Sequence, residues 1–250
     1  MNKRLVAAIA CRNKGSRLFG KPLQNLDINN GVKIIDNIID CLKSIDVIDE
    51  IVLGISYGQE NEIFCKLAIQ KKIEYILGDE DDVLSRLIKC GEKANATHIF
   101  RISSESPFLY FEPIIETWNN FMKADLDAVF MDEIIDGSGF EIISLNALKE
   151  SHNMGEKRHR SEFCTLYIRE NISNFNVLKL RPPIELIRKD LRLTVDYPED
   201  LIVCRAIYKF FKKDAPRIKL VEVVQYLDDR PDLKKLIEPF TDAGYSTMNL

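Results

Sequence analysis

The sequence predicts an α/β fold on a mostly parallel sheet, in a single domain spanning residues 1–250. Three observations lead there. Apolar runs of strand length alternate with segments of helical periodicity over the first hundred residues. Strand-helix alternation with short connections builds right-handed βαβ units. The opening run, Leu5 to Ala10, is apolar on both faces, as a parallel strand covered on both sides must be. Finally, 46% of the 250 residues are apolar, and a chain of this length buries about 70% or more of its unfolded surface, enough for one large core.

The elements follow in order. After the first strand, Ile34, Ile35, Ile38, Ile39 and Leu42 mark one face of an amphipathic helix. Ile51 to Ile55 is a second strand, Glu60 to Lys71 a second helix, and Ile73 to Leu77 a third strand closed by Gly78. Asp82 to Ala94 reads as helix, with Asp82 at its N-cap, and Thr97 to Ile102 as a fourth strand. From about Asp125 the pattern changes: Asp127 to Met131 and Phe140 to Ser144 read as strands without an intervening helix. A polar, basic stretch, Gly155 to Arg160, follows, then a strand from Phe175 to Leu180. This predicts a β-rich insertion at about 132–185. The chain returns to strand in Leu191 to Val195 and to helix from Pro198 to Phe211, where proline fits the first turn. Trp118, Phe121, Phe210 and Phe211 read as core, and His98 as a structural histidine within a strand.

Composition excludes several functions. There are 35 basic and 39 acidic residues, a net charge of −4, so no basic excess exists to displace the counterions of nucleic acid or to bind an anionic membrane. A local basic pocket for a small anion remains compatible. The six cysteines contain no C-x-x-C pair and read as reduced thiols; with no apolar run long enough to span a bilayer, a cytoplasmic protein is expected. No spaced Cys/His set suggests zinc, and no G-x-S-x-G elbow suggests a hydrolase.

The chemistry concentrates after the first strand, in Cys11-Arg12-Asn13-Lys14-Gly15-Ser16-Arg17-Leu18-Phe19-Gly20-Lys21-Pro22. Cations and glycines beyond the carboxyl end of a parallel strand suit phosphate oxygens. The spacing is neither a P-loop nor a Rossmann fingerprint. Read whole, R-x-x-G-S-R-L-x-G-K resembles the signature loop of cytidylyltransferases that activate acidic sugars, the CMP-KDO synthetase type, and more closely their SpsF-like spore-coat polysaccharide relatives. Three further blocks are similar to that family in order. Gly78 to Arg86 resembles G-x-E-D-D-V-L-x-R, Arg101 to Pro107 resembles R-I-T-G-D-C-P, and Leu191 to Leu201 resembles R-L-T-V-D-x-P-E-D-L. The blocks span residues 5 to 230.

The resemblance implies a three-layer αβα nucleotide-diphospho-sugar-transferase-like fold, with the insertion forming a homodimer interface. It implies that CTP and a small anionic acceptor, an acidic sugar or a phosphorylated one, react with Mg²⁺ to give a CMP- or CDP-linked product and pyrophosphate in glycan biosynthesis. Arg12, Gly15, Ser16, Arg17 and Lys21 would grip the triphosphate, with Asp82 and Arg86 also at the nucleotide. Glu105 and Asp196 would hold the metal; Arg12, Lys21 and Asp196 would be catalytic. Arg101, Arg160 and Glu162 would meet the acceptor. Two departures stand out. Ser104-Glu105 replaces Gly-Asp, lengthening the carboxylate by a methylene and losing glycine's backbone freedom. Phe163 and Leu166 replace a family His and Pro. A guanylyl- or uridylyltransferase acting on a sugar 1-phosphate, and a catalytically silent nucleotide-binding subunit, are the alternatives.

Overall fold

The computed structural model describes residues 3–15 and 17–242. The chain begins with β1 (Leu5–Cys11), a short hairpin of β2 (Asn25–Asp27) and β3 (Val32–Lys33), and α1 (Ile34–Lys43). Then come β4 (Glu50–Ser56), α2 (Glu62–Lys71), β5 (Glu74–Gly78), α3 (Val83–Lys93), β6 (His98–Arg101) and α4 (Ile114–Ala124). The second half holds β7 (Ala128–Phe130), β8 (Glu141–Ser144), α5 (Leu145–Met154), α6 (Leu166–Glu170) and β9 (Val177–Lys179). It ends with α7 (Pro198–Phe210), α8 (Leu220–Asp228) and α9 (Pro231–Ile237).

One seven-stranded sheet runs in the order β5-β4-β1-β6-β8-β7-β9. It is parallel except where β8 runs antiparallel to both its neighbours, β6 and β7. Side chains alternate along β1 as the pleat requires. Leu5, Ala7, Ile9 and Cys11 enter the larger core, with α1, α2, α4, α7, α8 and α9. Val6 and Ala8 enter the other, with α3, α5 and α6. Helices therefore cover both faces, and the three-layer α/β architecture stands.

The segment 132–185 is not β-rich. Its strands, β8 and β9, belong to the main sheet, and α5, α6 and 3₁₀ turns make up much of the rest. The missed signal for α5 is its cap: the Ser144 hydroxyl accepts the Ala147 N–H at 3.1 Å, and Leu145 and Leu148 then bury one face. Leu191 to Val195 is not a ladder strand either. It makes one isolated parallel bridge, Arg192 to Asp136, where the Leu193 N–H donates to the Asp136 carbonyl at 2.8 Å, and farther on the Val195 N–H donates to the Glu105 carbonyl at 3.1 Å. The period-2 alternation survives, however: Leu191, Leu193 and Val195 are buried, while Arg192, Thr194 and Asp196 line a cavity. Phe210, expected in the core, is 66% exposed. It lies against Phe211 and Tyr226 at the surface.

His98 is buried as expected, edge-on to Trp118 and Phe121 with centroids at 5.1 and 4.9 Å. Burial, aided by the Lys3 charge, pushes its pKa down to about 4. The unfolded chain therefore binds a proton between about pH 6.5 and 4 that the folded chain refuses, and stability falls as pH drops through that window. We expect wild type to lose about 1–2 kcal/mol more than His98→Phe between pH 7 and 5, measured by urea unfolding. Parallel stability-pH curves would contradict this.

Candidate active site

The strand order runs outward from β1 in both directions, so the crevice beyond the carboxyl ends of β1 and β6 is the switch point where such sheets bind ligands. A cavity of about 590 Å³ opens there. Its walls come from the loop after β1, the loop after β6, the turn before β8, the start of α6 and the strap ending in Asp196.

The loop after β1 is held in a fixed shape. Gly20 N–H donates to the Asn13 carbonyl at 3.1 Å, closing it. Asn13 is anchored in turn, its N–H on the Asn61 Oδ1 at 2.7 Å and its Nδ2 on the Glu60 carbonyl at 2.6 Å. Gly15 is required: a Cβ there would sit 2.4 Å from the Leu18 carbonyl oxygen. Pro22 follows Lys21 in the first turn of a 3₁₀ segment, which directs Lys21 inward. The resulting contacts converge on one carboxylate. Lys21 Nζ lies 2.5 Å and Arg17 Nη2 3.0 Å from Asp196 Oδ1, while Arg192 Nη2 lies 2.8 Å from Oδ2. Burial alone would raise the Asp196 pKa; the Lys21 hydrogen bond and charge, with Arg17 and Arg192, outweigh it and hold the carboxyl below its usual range. Arg17 also lies over the Tyr197 ring at 5.0 Å.

Glu105 joins the same wall, tied through its carbonyl to the strap that carries Asp196. Replacement of the family glycine by Ser104 strains nothing, since Ser104 has no positive φ. Its hydroxyl donates to Glu105 Oε2 at 2.8 Å and fixes the longer carboxylate. These two acids offer hard oxygen donors from adjacent loops, the chemistry that suits a divalent cation sharing its shell with waters and phosphates.

A charge-balanced cluster forms another part of the lining. Arg101 Nη1 reaches Glu141 Oε2 at 2.6 Å, and its Nη2 takes the Glu162 carbonyl at 2.7 Å. Arg169 grips Asp132 with two bonds of 2.9 and 2.8 Å and Glu141 at 3.0 Å. Burial opposes ionisation of Glu141, yet the two arginines keep its pKa lowered. The Glu162 carboxylate pairs with Arg12 at 3.6 Å, linking this cluster to the loop after β1.

Most of the expected residues therefore meet. Arg12, Gly15, Arg17, Lys21, Arg86, Arg101, Glu105, Glu162 and Asp196 all line the cavity; Ser16 lies outside the described residues. Asp82 and Arg160 are not in its wall. The Asp82 carboxylate caps α3 through the Ser85 N–H at 2.8 Å and takes His152 Nε2 at 2.8 Å. Arg160 turns to the His152 carbonyl at 3.1 Å. Its neighbour Arg158 is drawn off by Glu156 and Glu170, at 3.1 and 2.8 Å, and the buried His159 is held between the Glu156 N–H and the same Glu170. Arg86 reaches the cavity edge, but its guanidinium is committed to the carbonyls of Cys11 and Gly54, both at 3.1 Å. Gly78 makes this possible, as a Cβ there would meet Arg86 Cγ at 2.6 Å. Sequence reasoning missed Asp132, Asp136, Glu141, Arg169 and Arg192. Only Arg192 had a signal: it is the arginine of the block resembling R-L-T-V-D-x-P-E-D-L, and it shares a face with Asp196 four residues on in an extended strap.

Sheet and crevice together define the class of protein, an α/β nucleotidyltransferase. The family model for cytidylyltransferases matches residues 6–227, and the chain belongs to that family. It is 24% identical to the spore coat polysaccharide biosynthesis protein SpsF of Bacillus subtilis, over 90% of this chain and 94% of that one. Among solved structures it is similar to a cytidylyltransferase from Leptospira borgpetersenii, with a TM-score of 0.83 at 17% identity over 93% of this chain and 97% of the other. It is also similar to CMP:2-keto-3-deoxy-manno-octonic acid synthetase complexed with CTP, with a TM-score of 0.63 at 13% identity over 83% and 99% of the two chains.

Proposed function

We propose that this protein transfers a cytidylyl group from CTP to an oxygen of a small anionic acceptor, an acidic or phosphorylated sugar, releasing pyrophosphate. The observation that carries the reading is the convergence of Lys21, Arg17 and Arg192 on Asp196, with Glu105 on the same wall. Nucleotidyl transfer is limited by charge repulsion between the attacking oxygen and the phosphates, so fixed cations supply much of the catalysis. Arg12, Arg17 and Lys21 neutralise the triphosphate and follow the charge onto the leaving pyrophosphate. Glu105 and Asp196 would hold Mg²⁺, which when bound adds Lewis-acid charge neutralisation at the phosphates. The Arg101–Glu141–Arg169 cluster positions the acceptor. The SpsF relative supports an acceptor in surface-glycan synthesis. A cytoplasmic homodimer is the form we propose. All six cysteines are free thiols, and no helix among the described residues is long and apolar enough to cross a membrane.

Thermal unfolding tests the nucleotide. At 100 times its Kd, CTP with Mg²⁺ adds about 2.7 kcal/mol, a rise in Tm of about 5–10 °C for a chain of this size. GTP and UTP should give smaller shifts. A shift with GTP or UTP but not CTP would reassign the base, and none with any nucleotide would defeat the proposal. Gly15→Ala tests the loop. Crowding against Leu18 costs about 1–3 kcal/mol, a fall in Tm of about 2–12 °C, and because the loop must shift to relieve it, CTP affinity should fall at least about tenfold. Calorimetric titration reads the effect, and unchanged affinity would count against the loop.

A further inference from the structure

We infer that Arg192 is a positioning residue. It holds one oxygen of Asp196 in place so that the other is presented to the divalent ion once nucleotide has drawn Lys21 and Arg17 away. This rests on the nucleotide reading above, and it concerns a residue that the loop and carboxylate motifs leave without a role.

The two oxygens of Asp196 have different partners. Among the described residues, Oδ1 pairs with two side chains of the loop after β1, Lys21 at 2.5 Å and Arg17 at 3.0 Å. Arg17 has a side chain 45% exposed, with Tyr197 as its other contact. A triphosphate carries about four negative charges against the carboxylate's one, so these cations transfer to it and Oδ1 is released into the cavity. Oδ2 faces Arg192 instead, whose side chain is 1% exposed. That guanidinium cannot leave. Its Nη1 donates to the Phe240 carbonyl at 2.7 Å, and its Nε lies 3.2 Å from Asp200 Oδ1. Asp200 closes the frame from below, its Oδ2 accepting the N–H groups of Asp196 and Tyr197, both at 2.9 Å. Phe240 is itself stacked on Tyr197 with centroids 4.0 Å apart. The Asp196 backbone is thus pinned by Asp200 and its Oδ2 by Arg192. Without Arg192 the carboxylate rotates about its last bond and pairs with whichever cation is nearest, Lys21 included, in competition with the ion.

CTP affinity, measured by calorimetry with EDTA and with Mn²⁺, tests this in wild type, Arg192→Met and Arg192→Lys. In EDTA Arg192→Lys, which keeps the charge, should bind CTP within about twofold of wild type, and Arg192→Met, which removes one positive charge at the cavity wall, within about tenfold. The strengthening of CTP binding by Mn²⁺ should drop at least tenfold in Arg192→Met and be partly restored in Arg192→Lys, which keeps one donor and the charge. A purely structural role would lower Tm in the variants and leave the Mn²⁺ effect at wild-type size below that Tm; that result overturns the proposal. If Arg192→Met does not fold, Arg192→Lys carries the same comparison, and a full Mn²⁺ effect with its single donor again overturns it. Wild type that binds CTP beside a variant with an unaltered Mn²⁺ effect removes this proposal alone. Wild type that binds no CTP removes the nucleotide reading and this proposal together.

Discussion

Lys21→Ala is expected to weaken CTP binding about 10- to 150-fold without unfolding the protein. Lys21 is the most sheltered of the loop cations, its side chain 14% exposed, so its charge is less screened by water than those of Arg12 or Arg17. A hydrogen bond to a charged partner is worth about 1.5–3 kcal/mol, which converts to that range of affinity. The same factor should appear for pyrophosphate, because the contact is to phosphates that leave together. Binding of cytidine should not change. Asp196 keeps Arg17 and Arg192 in the variant, so no carboxylate is stranded and Tm should move by only a few degrees. Lys21→Met retains most of the aliphatic stem and should behave alike, separating charge from packing. Wild-type pyrophosphate affinity in both variants would show that Lys21 does not face the phosphates.

Asp196→Asn should produce the largest change, and with opposite signs in two conditions. In EDTA the wild-type carboxylate competes with the triphosphate for Lys21 and Arg17. The amide does not, so metal-free CTP binding should tighten about 3- to 10-fold, a gain of roughly 1 kcal/mol for one removed charge at the cavity wall. With Mg²⁺ the order reverses. The variant keeps Glu105 alone of the expected pair, and the metal's contribution to binding should be mostly lost. Cytidylyl transfer should fall by about 10²–10³ or more, the scale for removing one preorganised electrostatic contact. A panel of acidic and phosphorylated sugars with coupled pyrophosphate detection checks this. Full turnover by Asp196→Asn would leave only a non-catalytic role for the carboxylate.

What the sequence made legible is local. β1 announced itself by apolar runs on both faces, α3 by its capping Asp82, α7 by Pro198, and the loop between Arg12 and Lys21 by cations and glycines crowded after a strand. Asp196 was legible only through the resemblance of Leu191 to Leu201 to the family block R-L-T-V-D-x-P-E-D-L. The Arg101–Glu141–Arg169 cluster was not, since Glu141, Arg169 and Asp132 acquire meaning only through one another, over 28 and 37 residues of separation. The excursion misled for a related reason. Strands β7 and β8 follow each other without a helix, which suggests a separate β unit, yet β8 finds its partner in β6 across the main sheet. Asp82 illustrates a competition between two readings: the helix cap and His152 claim both carboxylate oxygens, leaving it turned from the cavity.

Anomalous scattering from crystals grown with CTP and Mn²⁺ tests the central claim most directly. The ion should lie within about 2–2.3 Å of an Asp196 oxygen and near Glu105, with the triphosphate along the loop from Arg12 to Lys21. Nucleotide bound on another surface, or an ion touching neither acid, would contradict the account.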